Sequence, residues 1–306
     1  MSTLKTKKVK KSILLLIWIL ATCNVYAQTG TSKSGSLLWK ISGKGLSKPS
    51  YLLGTLHLKS GEYLDSIPGA KMAFQSCEQT VIELDMRNMS ELQTQMQQAM
   101  MMTPDTTYKM LYSDKDYQFV SEQLTSLIGT GLEELGILKP AAIQLTIVSL
   151  VYANYFPDAN PEDVLDTRIQ SESIKGKKTV LALETANDQM HVLFGVMNLQ
   201  RQADVLLCYL KNRDAVNALT PELISDYNQG NLDKLYQQQD NEICPSTPSE
   251  INALNKDRND KWMKKLPEIM KEKSSFIAVG ALHLAGEEGL LNLLEKAGYK
   301  VEPVGM

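Results

Sequence analysis

A chain of 306 residues with 43% hydrophobic and 22% charged residues sits near the average of globular proteins, which excludes whole-chain disorder, a collagen-like repeat and a polytopic membrane protein. The formal net charge of -3 hides an uneven distribution: residues 1–27 carry five lysines and no acid, and the other 279 hold 27 basic against 35 acidic residues, a net of -8. An acidic body has no electrostatic footprint for nucleic acid.

The lysines Lys5, Lys7, Lys8, Lys10 and Lys11 run into the apolar stretch Ile13 to Ala21, which is too short to span a bilayer comfortably. A basic segment, a short apolar segment and small residues form the pattern of a secretory signal peptide, with Val25-Tyr26-Ala27 as its cleavage site. The expected mature chain starts at Gln28, is periplasmic or secreted, and keeps no transmembrane segment. The alternatives are an uncleaved anchor and a lipoprotein attached through Cys23, where Thr22 stands in place of the usual smaller residue. Cys77, Cys208 and Cys244 then remain. Their odd number and wide spacing exclude a disulfide scaffold. One bridge with a free thiol fits an oxidising compartment, but we expect three isolated cysteines.

Residues 28–36 read as a flexible leader before a single domain over 37–306. Leu37 to Ile41 and Ser50 to Gly54 read as the two strands of a hairpin across the Gly43–Pro49 turn. A helix around Pro68–Ser76 and the strand Thr80 to Leu84 follow. A helical insert over about 88–178 comes next: a Gln- and Met-rich helix over Ser90–Met102, a helix capped by Ser113 and running to Leu127, a buried helix over Pro140–Tyr155, and a helix opened by Asn160-Pro161 and ended by Gly176. Thr179 to Leu183 is a strand. Helices are expected over Asn187–Lys211, from Thr220, and over Glu250–Lys271, with a loop from Cys244 to Pro248. Ser275 to Val279 is a strand, Gly286–Ala297 a helix closed by Gly298, and Tyr299 to Val304 the last strand. The expected fold is therefore mixed α/β, with one sheet assembled from the two ends and a middle strand.

Three histidines occur in the whole chain, and two occupy matching contexts. Leu53-Gly54-Thr55-Leu56-His57-Leu58 and Val279-Gly280-Ala281-Leu282-His283-Leu284 are apolar strands that each end in Gly-x-Leu-His-Leu. Positions just beyond the carboxyl ends of strands are where α/β folds build sites. Two imidazoles and a carboxylate make a common ligand set for a divalent metal with open positions. Glu83, in Val81-Ile82-Glu83-Leu84-Asp85, is the natural carboxylate, because an acid in so apolar a run is costly to bury unless paired or metal-bound. Glu184 holds the equivalent place in Leu181-Ala182-Leu183-Glu184, and Asp85 is a spare candidate. The plainer reading makes each histidine a hydrogen-bonded core or loop residue, and Glu83 and Glu184 each a helix cap or the partner of an arginine. His191, in a helical stretch, reads as structural or exposed, and Met100 to Met102 as a hydrophobic helix face.

There is no H-E-x-x-H, G-x-S-x-G, Gly-x4-Gly-Lys or G-x-G-x-x-G motif. The ordered set formed by Leu38 to Ile41, Tyr51 to His57, Val81 to Asp85, Leu183-Glu184-Thr185 with Gln189, Arg258-Asn259 with Trp262, and Phe276 to Gly286 resembles the TraB/GumN family, which includes the Tiki metalloproteases of animals. The resemblance extends from Leu38 to about Val304. It implies paired G-x-x-H motifs, an acid after the second conserved strand and an arginine before the last motif, which fall on His57, Glu83, Arg258 and His283. It further implies a metal-dependent peptidase favouring manganese or cobalt. His57, Glu83 and His283 would hold the metal, Glu83 or Glu184 would act on a bound water, and Arg258 would pair with the acids or stabilise an oxyanion. The expected substrate is a peptide or protein. The alternative is a non-catalytic protein of the cell envelope that sequesters a peptide in the same cleft; metal storage is disfavoured by the few soft ligands.

Overall fold

The computed structural model describes residues 34–157, 160, 163–239 and 242–305. The expected signal peptide, its cleavage site, Cys23 and residues 28–33 of the leader lie outside the described residues. Six strands are present among the described residues: β1 (Leu38–Ser42), β2 (Ser50–Thr55), β3 (Gln79–Ile82), β4 (Thr179–Ala182), β5 (Ser275–Gly280) and β6 (Lys300–Pro303). They form one mixed sheet in the order β4-β3-β5-β2-β1-β6. The hairpin β1–β2 is antiparallel, as the Gly43–Pro49 turn requires, and β6 pairs antiparallel with β1. By contrast β4, β3, β5 and β2 run parallel, so their carboxyl ends lie along one rim.

The sequence explains why β5 is central. Phe276, Ile277, Ala278 and Val279 are all buried, as are Leu52 and Leu53 of β2 and Val81 and Ile82 of β3. Near-continuous apolar runs of this kind suit parallel strands covered on both faces. Each fully buried aliphatic side chain contributes about 1.5–3 kcal/mol relative to exposure. Helix Leu165–Lys175 packs against β3 and β4, helix Ala70–Ser76 against β2 and helix Leu290–Lys296 against β6. Phe74 meets Phe276 edge-to-face at 5.3 Å. Gly54 permits a close approach: a Cβ there would stand 3.0 Å from the Ala281 Cα, on the turn that carries His283.

A second apolar cluster lies away from the sheet core. It joins Tyr108, Val120, Leu124, Ile143 and Ile147 from between β3 and β4 to Leu206 and Leu210, which follow β4.

Several expected elements differ in extent. The helix expected over Asn187–Lys211 is two helices, Ala186–Phe194 and Leu199–Lys211. Gly195 ends the first, and the Asn198 side chain caps the second by accepting from the Arg201 N–H. The stretch Glu250–Lys271 is likewise split into Pro248–Leu254, Lys256–Met263 and Leu266–Glu272, with prolines in the first turns of the outer two. The helix Pro140–Ala153 buries only Pro140, Ala142, Ile143 and Ile147, and Leu145 and Leu150 face solvent. The helix expected from Asn160-Pro161 begins at Leu165; Pro161 and Glu162 lie outside the described residues. Ser34 to Ser36, the end of the expected leader, are held in place: Gly35 N–H donates to Gly230 O and the Ser36 hydroxyl to Leu38 O.

The expectation of three isolated cysteines is overturned. Cys208 and Cys244 form a disulfide across 36 positions, and Cys77 is a buried free thiol. The bridge ties the 242–247 loop to the helix Leu199–Lys211, a pairing that depends on tertiary approach and leaves no trace in spacing.

Candidate active site

The parallel strands carry the candidate residues to one rim. Past β2 stands His57, past β3 Glu83, past β4 Glu184 and past β5 the turn Ala281–His283. The backbone locks neighbouring ends together, since Glu184 N–H donates to Glu83 O (3.1 Å). Around Gly280 the side chains converge. A Cβ placed on that glycine would lie 3.4 Å from Glu83 Oε1, 3.7 Å from His283 Cδ2 and 3.8 Å from His57 Nε2.

Glu83 is buried and its charge is accommodated by donors. Gly280 N–H donates to Oε1 (2.6 Å), and Arg258 Nη2 to Oε2 (2.5 Å). Burial works against this carboxylate, but His283, Arg258, His57 and the Gly280 N–H together hold it below the ordinary carboxylate range. Glu184, also buried, pairs with Arg258 through both carboxylate oxygens, and Gln189 Nε2 donates to its Oε1 (3.0 Å). Arg258 thus bridges the two acids, and its charge stays fixed because their pairing outweighs burial. Its guanidinium lies 4.9 Å from the Trp262 ring centre, one helical turn along Lys256–Met263.

The two histidines are held differently. His283 is buried, and its ring packs 4.4 Å from the Trp262 ring. Its Nδ1–H donates to Asn259 Oδ1 (2.9 Å), which leaves Nε2 to accept from Arg258 Nη1 (2.8 Å). Burial pushes His283 down to about 3, so its imidazole is neutral at physiological pH. His57 has a side chain 66% exposed. Its Nδ1 pairs with Asp166 Oδ2 at 2.9 Å, and the hydrogen bond and charge of Asp166 raise it to about 9. Solvent at this exposed ring screens the pairing in part.

Asp166 and Asn259 are the partners that sequence reasoning assigned no role. Asp166 belongs to the first turn of helix Leu165–Lys175, where an acid is commonplace, and its relation to His57 is tertiary. Leu165 N–H donates to Lys59 O (2.8 Å) and Gly61 N–H to Asp163 O (2.7 Å), which clamps the segment after His57 to that helix start. A Cβ on Gly61 would come 2.6 Å from the Arg168 Cβ, so glycine is required at this crossing. Asp166 Oδ1 also accepts from the Thr55 hydroxyl (2.8 Å). Asn259 follows Arg258 and could be found only through the resemblance. The spare candidate Asp85 is not part of the convergence: Arg87 takes both its oxygens and Gln170 Nε2 donates to Oδ1 (2.7 Å). His191 is exposed on its helix.

Across most of its length the chain matches the TraB/PrgY/gumN family, over residues 37–303. Among curated proteins it is similar to Metalloprotease TIKI1 of Xenopus tropicalis, at 26% identity across 88% of this chain and 62% of that protein. Similarity extends to Metalloprotease TIKI1 of Homo sapiens, at 25% across 92% of this chain and 64% of the relative. Metalloprotease TIKI2 of Danio rerio is 24% identical across 87% of this chain and 60% of its own length. The chain therefore spans less than two thirds of the length of these relatives. No solved structure matches it. No helix among the described residues is long and apolar enough to cross a membrane. The match over 37–303, together with the strand-end residues the fold gathers, supports one assignment: the chain belongs to the TraB/PrgY/gumN family.

Proposed function

We propose that the chain is an exported, metal-dependent hydrolase that cleaves peptide bonds. The observation that carries this reading is the convergence of His57, Glu83 and His283 around Gly280. The relatives named metalloproteases support it and imply a divalent ion; manganese or cobalt is the identity we propose for it.

The donor chemistry fits such an ion. The Nδ1–H of each histidine is committed to an oxygen acceptor, Asp166 for His57 and Asn259 for His283, which directs Nε2 toward a ligand; the His57 ring, protonated at neutral pH in the metal-free protein, would give up its Nε2 proton on loading. Metal-binding histidines are typically oriented in this way. Among the described residues no three His, Cys, Asp or Glu side chains are yet gathered tightly enough to share one ion. Arg258 stands among them, and its guanidinium must yield Nε2 of His283 on loading.

His57, His283 and Glu83 would hold the ion, which would supply Lewis acidity toward a peptide carbonyl and lower the pKa of bound water. The chain's own groups do the rest. Glu184, oriented by Gln189, would take the proton of the attacking water, with Glu83 as the other acceptor. Arg258, freed from His283, would face negative charge developing on the carbonyl oxygen. The test is turnover of a fluorogenic peptide library by the purified chain with and without Mn2+. Metal-dependent cleavage that is lost in His57→Ala and His283→Ala supports the reading.

A second reading, a non-catalytic protein that sequesters peptides, is favoured by the pairing of Arg258 with Glu83 and Glu184, which neutralises both acids without an ion. Peptide binding without metal-dependent cleavage would select it.

A further inference from the structure

Two unlike depressions flank the strand-end residues. One, of about 330 Å3, opens on His57, Glu83 and Arg258, and is walled by Leu223, Leu235, Ile251, Leu254 and Leu282. The other, of about 510 Å3, opens on Glu184 and has a mixed lining in which Arg87, Asn88, Glu91, Gln95 and Asn187 add polar and charged groups to Leu84, Leu92 and Ala186. The strand order β4-β3-β5-β2 puts them on opposite sides of the site, the apolar one toward β5 and β2 and the more polar one toward β4 and β3. Both volumes fall in the range of ligand-binding pockets.

The apolar wall is not simply the edge of the core. Leu235 is buried in the core cluster and Leu223 packs against it, but Ile251, Leu254 and Leu282 belong to none of the apolar clusters among the described residues. Leu254 is 43% exposed and Leu282 36%, at the mouth beside the reacting groups. Three short helices, Thr220–Asn228, Leu232–Gln237 and Pro248–Leu254, supply the rest. The last is braced, since Arg201 bonds both oxygens of Glu250 and the Pro245 carbonyl, next to the Cys208–Cys244 bridge. The charged side chains that line this cavity are those of the site itself.

We infer that this cavity is a side-chain subsite that selects a bulky apolar residue next to the bond to be cleaved, the polar cleft taking the residues on the other side of that bond. The inference rests on the peptidase reading and specifies its substrate class. A peptide lying across the rim accounts for both depressions, whereas a bare acyl chain would leave the polar cleft without a role. In such a pocket even one extra or missing methylene discriminates by about 10- to 200-fold.

The test measures binding apart from turnover. Fluorescein-labelled nonapeptides of Gly and Ser, with Leu, Asp or Lys at the centre, are titrated by fluorescence polarisation against the full chain without added metal, and their cleavage is followed separately with Mn2+. The Leu peptide should bind at least about tenfold more tightly than the other two. Leu254→Lys should abolish that preference and gain affinity for the Asp peptide, a positive readout that a misfolded variant could not give. Leu145→Lys, on the remote helix Pro140–Ala153, should leave the preference intact. Equal affinities, or a preference unmoved by Leu254→Lys, overturn the subsite, as does capture of a fatty-acyl probe in place of the Leu peptide. A Leu preference without any Mn2+-dependent cleavage removes the peptidase reading and leaves the subsite standing. Cleavage without preference does the reverse.

Discussion

His57 and Asp166, 109 positions apart, are joined at 2.9 Å through Nδ1 and Oδ2, and the Asp166 carboxylate also accepts from Thr55. The pairing orients the ring and leaves Nε2 facing the space around Gly280. Removing an outer partner of a metal-binding histidine weakens metal affinity by about 10- to 100-fold. Asp166→Asn keeps an oxygen acceptor but removes the charge, so Mn2+ affinity measured by calorimetric titration should fall within that range while thermal melting changes little. In the metal-free protein the His57 ring, held up at about 9, should titrate closer to 6.5 in the variant, as read by NMR. An unchanged midpoint and unchanged affinity would remove Asp166 from this role.

Arg258 bridges two buried carboxylates, so its loss strands both. Breaking a buried ion pair by deleting one partner costs about 3–5 kcal/mol. Arg258→Gln should lose stability on that scale in urea unfolding without metal. If the same pocket accepts a divalent ion, millimolar Mn2+ should restore much of the loss, because the ion supplies the missing positive charge. Restoration by Mg2+, Ca2+ and Mn2+ alike would indicate screening and not a site.

What could be read in advance follows from where each signal lives. Parallel strands buried on both faces are apolar throughout, so a polar residue at the end of such a run, as with Glu83 and His57, stands out against its neighbours, whereas Glu184 follows the partly exposed edge strand β4 and was legible only as the counterpart of Glu83. The repeated Gly-x-Leu-His-Leu brought His283 to notice for the same reason. Asp166 and Asn259 sit in helices where acids and amides are ordinary, and only the fold brings them to the rings. Their role depends on contacts such as Leu165 N–H to Lys59 O, which no local pattern encodes. The break at Asn255 carries no glycine or proline to mark it, since Asn255 to Lys261 are all polar, and the partner of Cys208 was hidden because pairing is a tertiary choice.

The Cys208–Cys244 bridge closes a segment of 36 positions. On the chain-entropy account, which is model-dependent, a loop of that length is worth about 4 kcal/mol, at the upper end of what disulfides deliver. Cys244→Ser, or reduction with dithiothreitol, should therefore lower urea stability by about 2–4 kcal/mol. Because the bridge anchors the loop carrying Ser246, which lines the apolar cavity, the same change should weaken binding of the Leu peptide. Cys77 is buried, and burial pushes its thiol up to about 11, so a native oxidised chain starting at Gln28, and therefore without Cys23, should resist alkylation at pH 8 and take one label after unfolding. A second label without reductant would disprove the bridge.

The Arg201–Glu250 pair sets an acid limit on the wall of that cavity. Hydrogen bonds from Arg201 outweigh burial and hold the Glu250 carboxyl below its ordinary value, and the Thr247 N–H adds to the effect. A carboxyl depressed in the folded state binds protons more readily once unfolded. Its stabilisation is therefore complete above the ordinary carboxylate range and disappears as pH falls through the folded value. Stability measured by urea unfolding should accordingly decline on acidification below about pH 5. Glu250→Gln should be less stable than the parent at pH 7 and should lose less on going to pH 3.5. Parallel acid limbs for the two proteins would show that Arg201 gains nothing from the Glu250 charge.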